Sequence, residues 1–438
     1  MSDYMFMLDS HLTGEQSKAL AEVREAAAEA NVNLFLTGGA MRDMMGGFPI
    51  RDLDFTVEGA GIKFARHVAE RSNAEIISED DHRKSVELLF PGNVTVEIAM
   101  ARQEKYGKPG TRPVVQPATI HEDLRRRDFT VNAIALSLSK ASRGLLLDPS
   151  NGLGDLSNRE LRAVSNYGLS DDPSRMLRMI RFRVRLGFAV AERTMQQYKN
   201  AREAELENKI PPEALEHELW QIAEDPLAGD VLKALEDEAL LKLISPALAG
   251  PKLNLAAFQK LQKARLMMPF GINTRVDWHA LFLFLLFEKL TAKERSQVVS
   301  AVGLKKAAVD AAAKLESRAK KLEKELTAGN LQRPSTLYNL LSKAPGEAIL
   351  FVLMRSTQRL VVDRLKNYLQ KYLPAAQEVT EKDVIERGGK LGTPKFAKLY
   401  QELIAARLDA RPKKVVPVEP PPPPPTGPGR RSASGFGR

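Results

Sequence analysis

The 438-residue sequence contains no cysteine. That excludes disulfides, thiolate metal sites and a cysteine nucleophile, and it fits a reducing compartment. The opening stretch MSDYMFMLDSHLTGEQ has no basic n-region and no long apolar core, so it does not read as a signal peptide. Long apolar runs are also missing. The longest, Trp278 to Phe287, is about half of the ~20 residues a spanning helix needs, and it reads as a buried helix. A cytoplasmic location without a membrane partner is expected. No internal repeat of fixed period is present. The six histidines form no His-Asp signature of a metal-dependent phosphohydrolase. His279, beside Trp278 in the apolar run, is expected in the core.

What is present is a soluble, basic composition. Hydrophobic residues make up 43% and charged residues 27%, the balance of a globular protein. The length points to about two to four domains. The net charge of +10 suits a polyanionic partner such as RNA, DNA or an anionic membrane, and serves solubility equally well.

Up to about residue 150, strand and helix signals mix. Leu20, Val23 and Ala27 repeat at helical spacing in a helix over 15–31. NLFLTGG is a short strand entering a glycine turn, AMRDMMGG a turn or two of helix, and RDLDFTVE and NVTVEIAMA alternate as strands do. VNAIALSL suits a strand or a buried helix. From roughly 160 to 410 the segments are helical in period, with breaks near 211, 251, 270, 345 and 374. The fold class expected is α+β, a mixed sheet with helices followed by an all-helical half. The end, RPKKVVPVEPPPPPPTGPGRRSASGFGR, cannot bury a core and is expected disordered or in polyproline II.

The stretch Leu36 to Gly59 concentrates chemistry. Gly38 and Gly39 let a strand-to-helix turn approach a ligand, where free N–H groups favour an anion. Arg42, on the first helical turn, is in reach of a phosphate. Asp52 and Asp54, two apart in a strand, aim two carboxylates at one point, which is costly unless a cation lies between them. Oxygen-only ligands suit Mg²⁺, which retains waters and phosphate oxygens. Glu97 offers a third carboxylate: Val96, Ile98 and Met100 alternate to the apolar face and Glu97 points the other way, as an exposed surface glutamate also would.

Two further blocks carry unusual polar groups. EDLRRRDFTVNAIAL sets Arg127, Asp128 and Asn132 in an apolar context, suited to a triphosphate (Arg127) and ribose hydroxyls (Asp128 and Asn132). In DDPSRMLRMIRFRVRLGF, Asp172 before Pro173 reads as a helix cap. Leu177, Ile180, Val184 and Phe188 form an apolar stripe, with Arg175, Arg178 and Arg181 on an adjoining face. That face is either solvated or base-reading and phosphate-holding.

These blocks, with DPSNGLGDL between them, resemble in order and spacing the class II tRNA nucleotidyltransferases of the poly(A) polymerase superfamily, over roughly residues 34 to 190. The resemblance implies a nucleotidyltransferase head over 1–150, a base-reading helical neck over 151–220, a helical body over 221–310 and an RNA-binding tail over 311–410, before the proline-rich end at 411–438. It implies template-independent addition of C, A or both to the 3′ end of tRNA from CTP and ATP by a two-metal displacement. Poly(A) polymerase is the alternative within the superfamily, and a non-catalytic RNA-binding protein the alternative outside it. By resemblance, Gly39 and Arg42 contact the triphosphate, Asp52 and Asp54 bind Mg²⁺ with Glu97 as third carboxylate, and Arg127 and Asp128 belong to the nucleotide block. Asp172 and Arg175 match the base-reading template, and Arg178 and Arg181 the phosphate-side arginines. An Asp–Arg pair fits cytosine and adenine, which both present an amino donor beside a ring-nitrogen acceptor, and mispairs with guanine and uracil. The loop ARQEKYGKPGTRP resembles the flexible loop of tRNA enzymes. Asp171 replaces the family's leading glutamate, and HRKSV stands where relatives often carry a phenylalanine-glycine-threonine stretch.

Overall fold

The computed structural model describes residues 3–269 and 274–410. The proline-rich end and the expected break near 270 lie outside the described residues. Helices α1 (Asp3–His11) and α2 (Gly14–Glu29) lead into the sheet. Thr13 and Gln16 cap α2 reciprocally, each side chain accepting the other's backbone N–H. Leu20, Val23 and Ala27 are buried on its inner face, as their spacing requires.

The strands are β1 (Asn33–Thr37), β2 (Leu53–Glu58), β3 (Glu75–Asp80), β4 (Ser85–Phe90) and β5 (Val94–Met100). A separate ribbon follows, β6 (Arg102–Lys105) and β7 (Val114–Pro117), then β8 (Ala135–Ser137) and β9 (Leu146–Leu147). The seven-stranded sheet runs β3-β4-β5-β2-β1-β8-β9. Its neighbours are antiparallel except β2 and β5, which are parallel. Helix α3 (Gly38–Met45) follows β1 directly, α4 (Gly61–Ser72) follows β2, and α5 (Ile120–Arg126) follows the ribbon. VNAIALSL divides into a 3₁₀ turn over Thr130–Asn132 and strand β8.

The second half is helical, as expected. It comprises α6 (Gly152–Ser157), α7 (Gly168–Asp171), α8 (Ser174–Leu186), α9 (Glu192–Glu203), α10 (Pro212–Glu224), α11 (Ala228–Asp237) and α12 (Leu255–Arg265), then α13 (Trp278–Phe287), α14 (Ala292–Val302), α15 (Lys306–Glu325), α16 (Pro334–Leu341), α17 (Gly346–Arg355), α18 (Arg359–Asn367), α19 (Leu373–Gln377), α20 (Glu381–Glu386) and α21 (Pro394–Asp409). A small parallel pair, β10 (Glu160–Leu161) and β11 (Ala189–Val190), flanks α8.

The expected prolines do separate helices at 211 and 345, and a 3₁₀ turn stands over Gly250–Leu253. Pro374 does not break the chain. A π-helical segment over Tyr368–Tyr372 joins α18 to α19, and the wider turn accommodates the proline's missing donor and ring.

One apolar cluster runs from Leu8 and Val23 through the sheet to Phe182, Phe282 and Phe351. Phe129, beside the nucleotide block, meets Phe182 of α8 edge to face at 5.9 Å between centroids. The sheet half and α8 therefore share a core, which fixes where the polar faces of both can meet. No helix among the described residues is long and apolar enough to cross a membrane.

Candidate active site

Parallel pairing of β2 and β5 places Asp54 directly opposite Glu97. Val96, Ile98 and Met100 are buried and Glu97 is exposed, as alternation requires. Asp52 is not in the strand as expected. It lies in the bend just before β2, because the Gln16 side chain donates to the carbonyls of Ile50 and Arg51 and draws that segment toward α2. Burial pushes the Asp54 carboxyl up to about 7, and the charges of Glu97 and Asp52 add to the push; Arg127 and the Gly39 N–H pull against it. The Asp52 carboxyl is also raised, first by the protein mass around it and then by Glu224, against Arg51. Among the described residues no three acidic or histidine side chains close into a metal cage. The donor set still fits a hard divalent cation: neighbouring carboxylates, with the Asp52 and Asp54 carboxyls pushed above their usual range, and oxygen donors only. Mg²⁺ in particular takes one or two carboxylates and completes its shell with water and phosphate.

The glycine turn serves this carboxylate. Gly38 adopts φ +63°, and the Gly39 N–H donates to Asp54 Oδ2 at 2.9 Å. A Cβ at Gly38 would lie 3.0 Å from Arg127 Nη1 and 3.2 Å from Asp54 Oδ2. The two glycines thus admit close approach, as expected, but the anion now facing Gly39 is the protein's own Asp54.

Arg42 requires a correction. It is buried, with Nε donating to Asp43 Oδ1 at 2.8 Å and Nη1 to Asn132 Oδ1 at 2.8 Å, and its guanidinium lies over Phe182. Packing of α8 on α3 encloses it, so it holds the site together instead of standing free for phosphate. Arg127 is held by both Nε and Nη2 to Asp123 Oδ2 and touches Thr56 and the Asn132 carbonyl. Asn132 Nδ2 donates to Asp128 Oδ1 at 3.0 Å. Asp128 is held well below the usual carboxylate range: burial opposes ionisation, but Arg178, Arg175 and the Asn132 amide outweigh it.

The helix after Asp172 differs from both readings of its arginine face. Helix α8 begins at Ser174, whose N–H and hydroxyl donate to Asp172 Oδ1, so Asp172 caps from two residues before. Arg175 is buried, spends Nη1 and Nη2 on the carbonyls of Arg127 and Arg126, and keeps Nε 3.5 Å from Asp172 Oδ2 without a hydrogen bond. Arg181 is buried and Arg178 half-buried, and the guanidiniums of both are engaged by acids. Both pair with Glu218 of α10, Arg178 at 2.8 Å and Arg181 at 3.1 Å, and Arg178 also reaches Asp128 at 3.0 Å. Burial would raise the Glu218 carboxyl, but the two guanidiniums bring it down to about 2.

Arg127, Asn132, Asp128 and Arg178 therefore join into one hydrogen-bonded network, with Arg175 hung on the Arg127 carbonyl and the Arg127 charge acting on Asp54. The ribbon closes over its far end: the Gly110 N–H donates to the Asp171 carbonyl, and the charges of Asp172 and Arg175 both act on the Tyr106 hydroxyl. Sequence reasoning missed Asp43, Asp123 and Glu218. Asp43 takes Arg42 on one oxygen and Arg185 of α8 on the other. Only the arginine excess nearby hinted that buried acids must answer it.

Residues 34–162 match the model of the poly(A) polymerase head domain. That segment is similar to the poly(A) polymerase head domains. It contains Gly38, Gly39, Arg42, Asp52, Asp54, Glu97, Arg127, Asp128 and Asn132, and stops ten residues before Asp172. The chain is 35% identical over 252 residues to an A-adding tRNA nucleotidyltransferase of Halalkalibacterium halodurans, covering 55% of this chain and 58% of that protein. It is 34% identical over 186 residues to a CC-adding tRNA nucleotidyltransferase of Deinococcus radiodurans (42% and 50% covered). It is 37% identical over 174 residues to a multifunctional CCA protein of Haemophilus ducreyi (38% and 39% covered). The matched part of the chain spans little more than half of these relatives or less. Beyond the head domain, the whole fold resembles that of a CCA-adding enzyme in its apo form II, at a TM-score of 0.54 and 23% identity, with 94% of this chain and 96% of that one covered.

Proposed function

We propose that this protein is a tRNA nucleotidyltransferase that adds C, A or both to tRNA 3′ ends from CTP and ATP, building the CCA end in whole or in part and releasing pyrophosphate. The observation that carries the reading is the Asp54–Glu97 pair, with Asp52 beside it, set against the glycine turn and under the charge of Arg127, whose carbonyl holds Arg175 beside Asp172. The relatives named above, which add A, CC or CCA to tRNA, support the substrate class. In this reading the head spans 1–150, the base-reading neck 151–220, the body 221–310 and the RNA-binding tail 311–410.

Asp52 and Asp54 would hold Mg²⁺, with Glu97 helping to balance its charge. When bound, the ion would supply positive charge at the α-phosphate and lower the pKa of the RNA 3′-hydroxyl. The remaining work falls to the chain. Arg127, beside Gly38, offers a fixed guanidinium to the triphosphate, and its Asp123 partner holds the fork in place. Asp128 and Asn132 sit next to it for the ribose. Asp172 and Arg175 present an acceptor and a donor to the base edge, which admits cytosine and adenine and leaves buried polar groups unpaired against guanine and uracil. Arg178 and Arg181 act as positioning residues, fixing α8 on α10 through Glu218. Charge neutralisation and orientation supply most of the rate in such a displacement.

The test uses tRNA transcripts ending before C, after C and after CC, each with one labelled nucleotide and Mg²⁺. Defined addition of C, of A, or of both supports the reading and selects its form. Long A tails on unrelated RNA would move the chain to poly(A) synthesis. RNA binding without incorporation would make it a non-catalytic RNA binder.

A further inference from the structure

The chain has two tryptophans, and both flank His279 where α10, α12 and α13 meet. Trp220, near the end of α10, stacks on His279 with ring centroids 4.3 Å apart and planes 22° apart. Trp278 immediately precedes His279 at the start of α13, and the Arg265 guanidinium, ending α12, lies 4.1 Å from its ring centroid. His279 was expected in the apolar core. Its ring instead lies half-buried beside α10, with Nε2 3.1 Å from Glu224 Oε1, and Trp220 and Trp278 are also only partly buried. Three partly exposed aromatic rings in one cluster are costly to leave in water and suit a planar partner.

Charge ties the cluster to Asp52. Glu224, one helical turn after Trp220, acts electrostatically on Asp52, and Arg51 acts on Glu224 and Arg265. Arg51 Nε is enclosed and has no hydrogen-bond partner, and Arg51 and Arg265 repel one another. The acids Glu224 and Asp225 partly offset this pair. A phosphodiester between the two guanidiniums would relieve the repulsion, and a base attached to it would reach the rings. Aromatic faces beside a basic backbone track are how proteins hold single-stranded nucleic acid without reading its sequence.

We propose that Trp220, His279 and Trp278, with Arg265 and Arg51, form a stacking platform for an unpaired nucleobase at the 3′ end of the RNA, next to Asp52. The proposal rests on the nucleotidyltransferase reading for its occupant. It assigns this surface to the RNA being extended, and Asp172–Arg175 to the incoming nucleotide.

Because both tryptophans belong to the platform, their fluorescence reports its occupancy directly. The experiment titrates the full-length protein with an RNA minihelix bearing unpaired CC at its 3′ end, without nucleotide and without Mg²⁺. We expect saturable quenching, and about tenfold weaker binding of the same minihelix with abasic 3′ residues, the effect of losing one base–aromatic stack. Trp220→Ala should bind both minihelices alike, at the weaker level, and Trp220→Phe should retain the preference. Equal wild-type affinity for the abasic minihelix would overturn the platform, as would quenching by a blunt duplex or by CTP or ATP alone. The wild-type comparison stands whether or not Trp220→Ala folds. The binding readout is also separate from catalysis: a preference for the base-bearing end without any nucleotide addition would sink the enzyme reading and leave the platform intact.

Discussion

Gly39 donates its backbone N–H to Asp54 Oδ2 across 2.9 Å, so the turn after the first strand grips a proposed catalytic carboxylate by its main chain. A Cβ at Gly39 would come within 3.1 Å of that oxygen. Gly39→Ala should therefore displace the carboxylate by a few tenths of an ångström, with little cost to folding. The expected outcome is a fall in nucleotide addition of between about ten- and a hundredfold, with an unchanged circular dichroism spectrum. Wild-type turnover in this variant would show that the carboxylate's position is not limiting.

Asp54 also predicts a pH dependence of stability. Its carboxyl is raised to about 7 from an unfolded value of 3.8. The folded state thus binds the proton more tightly, and the associated stability is fully present below the unfolded value and lost as pH rises through about 7. Asp54→Asn keeps an acceptor for Gly39 and removes the charge. In metal-free protein it should stabilise the fold at pH 8 by on the order of 1–3 kcal/mol and have little effect near pH 4. Thermal melts at the two pH values, in chelator, measure this directly.

Glu218 carries the opposite sign. Its carboxyl is depressed to about 2 from 4.5 by Arg178 and Arg181. Its stabilisation is present above the unfolded value and lost as pH falls through about 2. Glu218→Gln leaves two buried guanidiniums without their anion and should cost about 3–5 kcal/mol at pH 7. Urea unfolding should show that difference shrinking between pH 4.5 and pH 2.

Asp43 bridges Arg42 and Arg185, one carboxylate oxygen to each. Asp43→Ala frees both guanidiniums inside a partly closed interface. It should raise the KM for nucleotide more than it lowers kcat, since Arg42 would lose its fixed orientation toward Asn132. Steady-state kinetics separate the two effects, and equal loss in both would assign Asp43 a purely structural role.

Much of this site was legible because its chemistry is local in sequence. The glycine turn and the alternation around Glu97 each fit within a few residues, whereas Asp52 lies in the bend just before the strand that its spacing from Asp54 suggested. What sequence reasoning missed lies across long separations. Glu218 meets Arg178 at a separation of 40 residues, and Asp43 meets Arg185 at 142. No periodicity signals such partners, so the ion pairs of half-buried Arg178 and buried Arg181 with Glu218 were not visible in the sequence. Arg42 fell to the same cause. Pro374 misled because a π-helical turn absorbed it, and His279 because its neighbours in sequence are apolar while its neighbour in space is Trp220.

The central claim is that Asp52 and Asp54 carry nucleotide transfer. Its most direct test compares wild type with Asp52→Ala and Asp54→Ala, measuring labelled CTP and ATP incorporation and tRNA affinity on the same preparations. The account predicts defined 3′ addition by wild type, none by either variant, and RNA affinity preserved in both. Incorporation by either variant at near wild-type rate would contradict it.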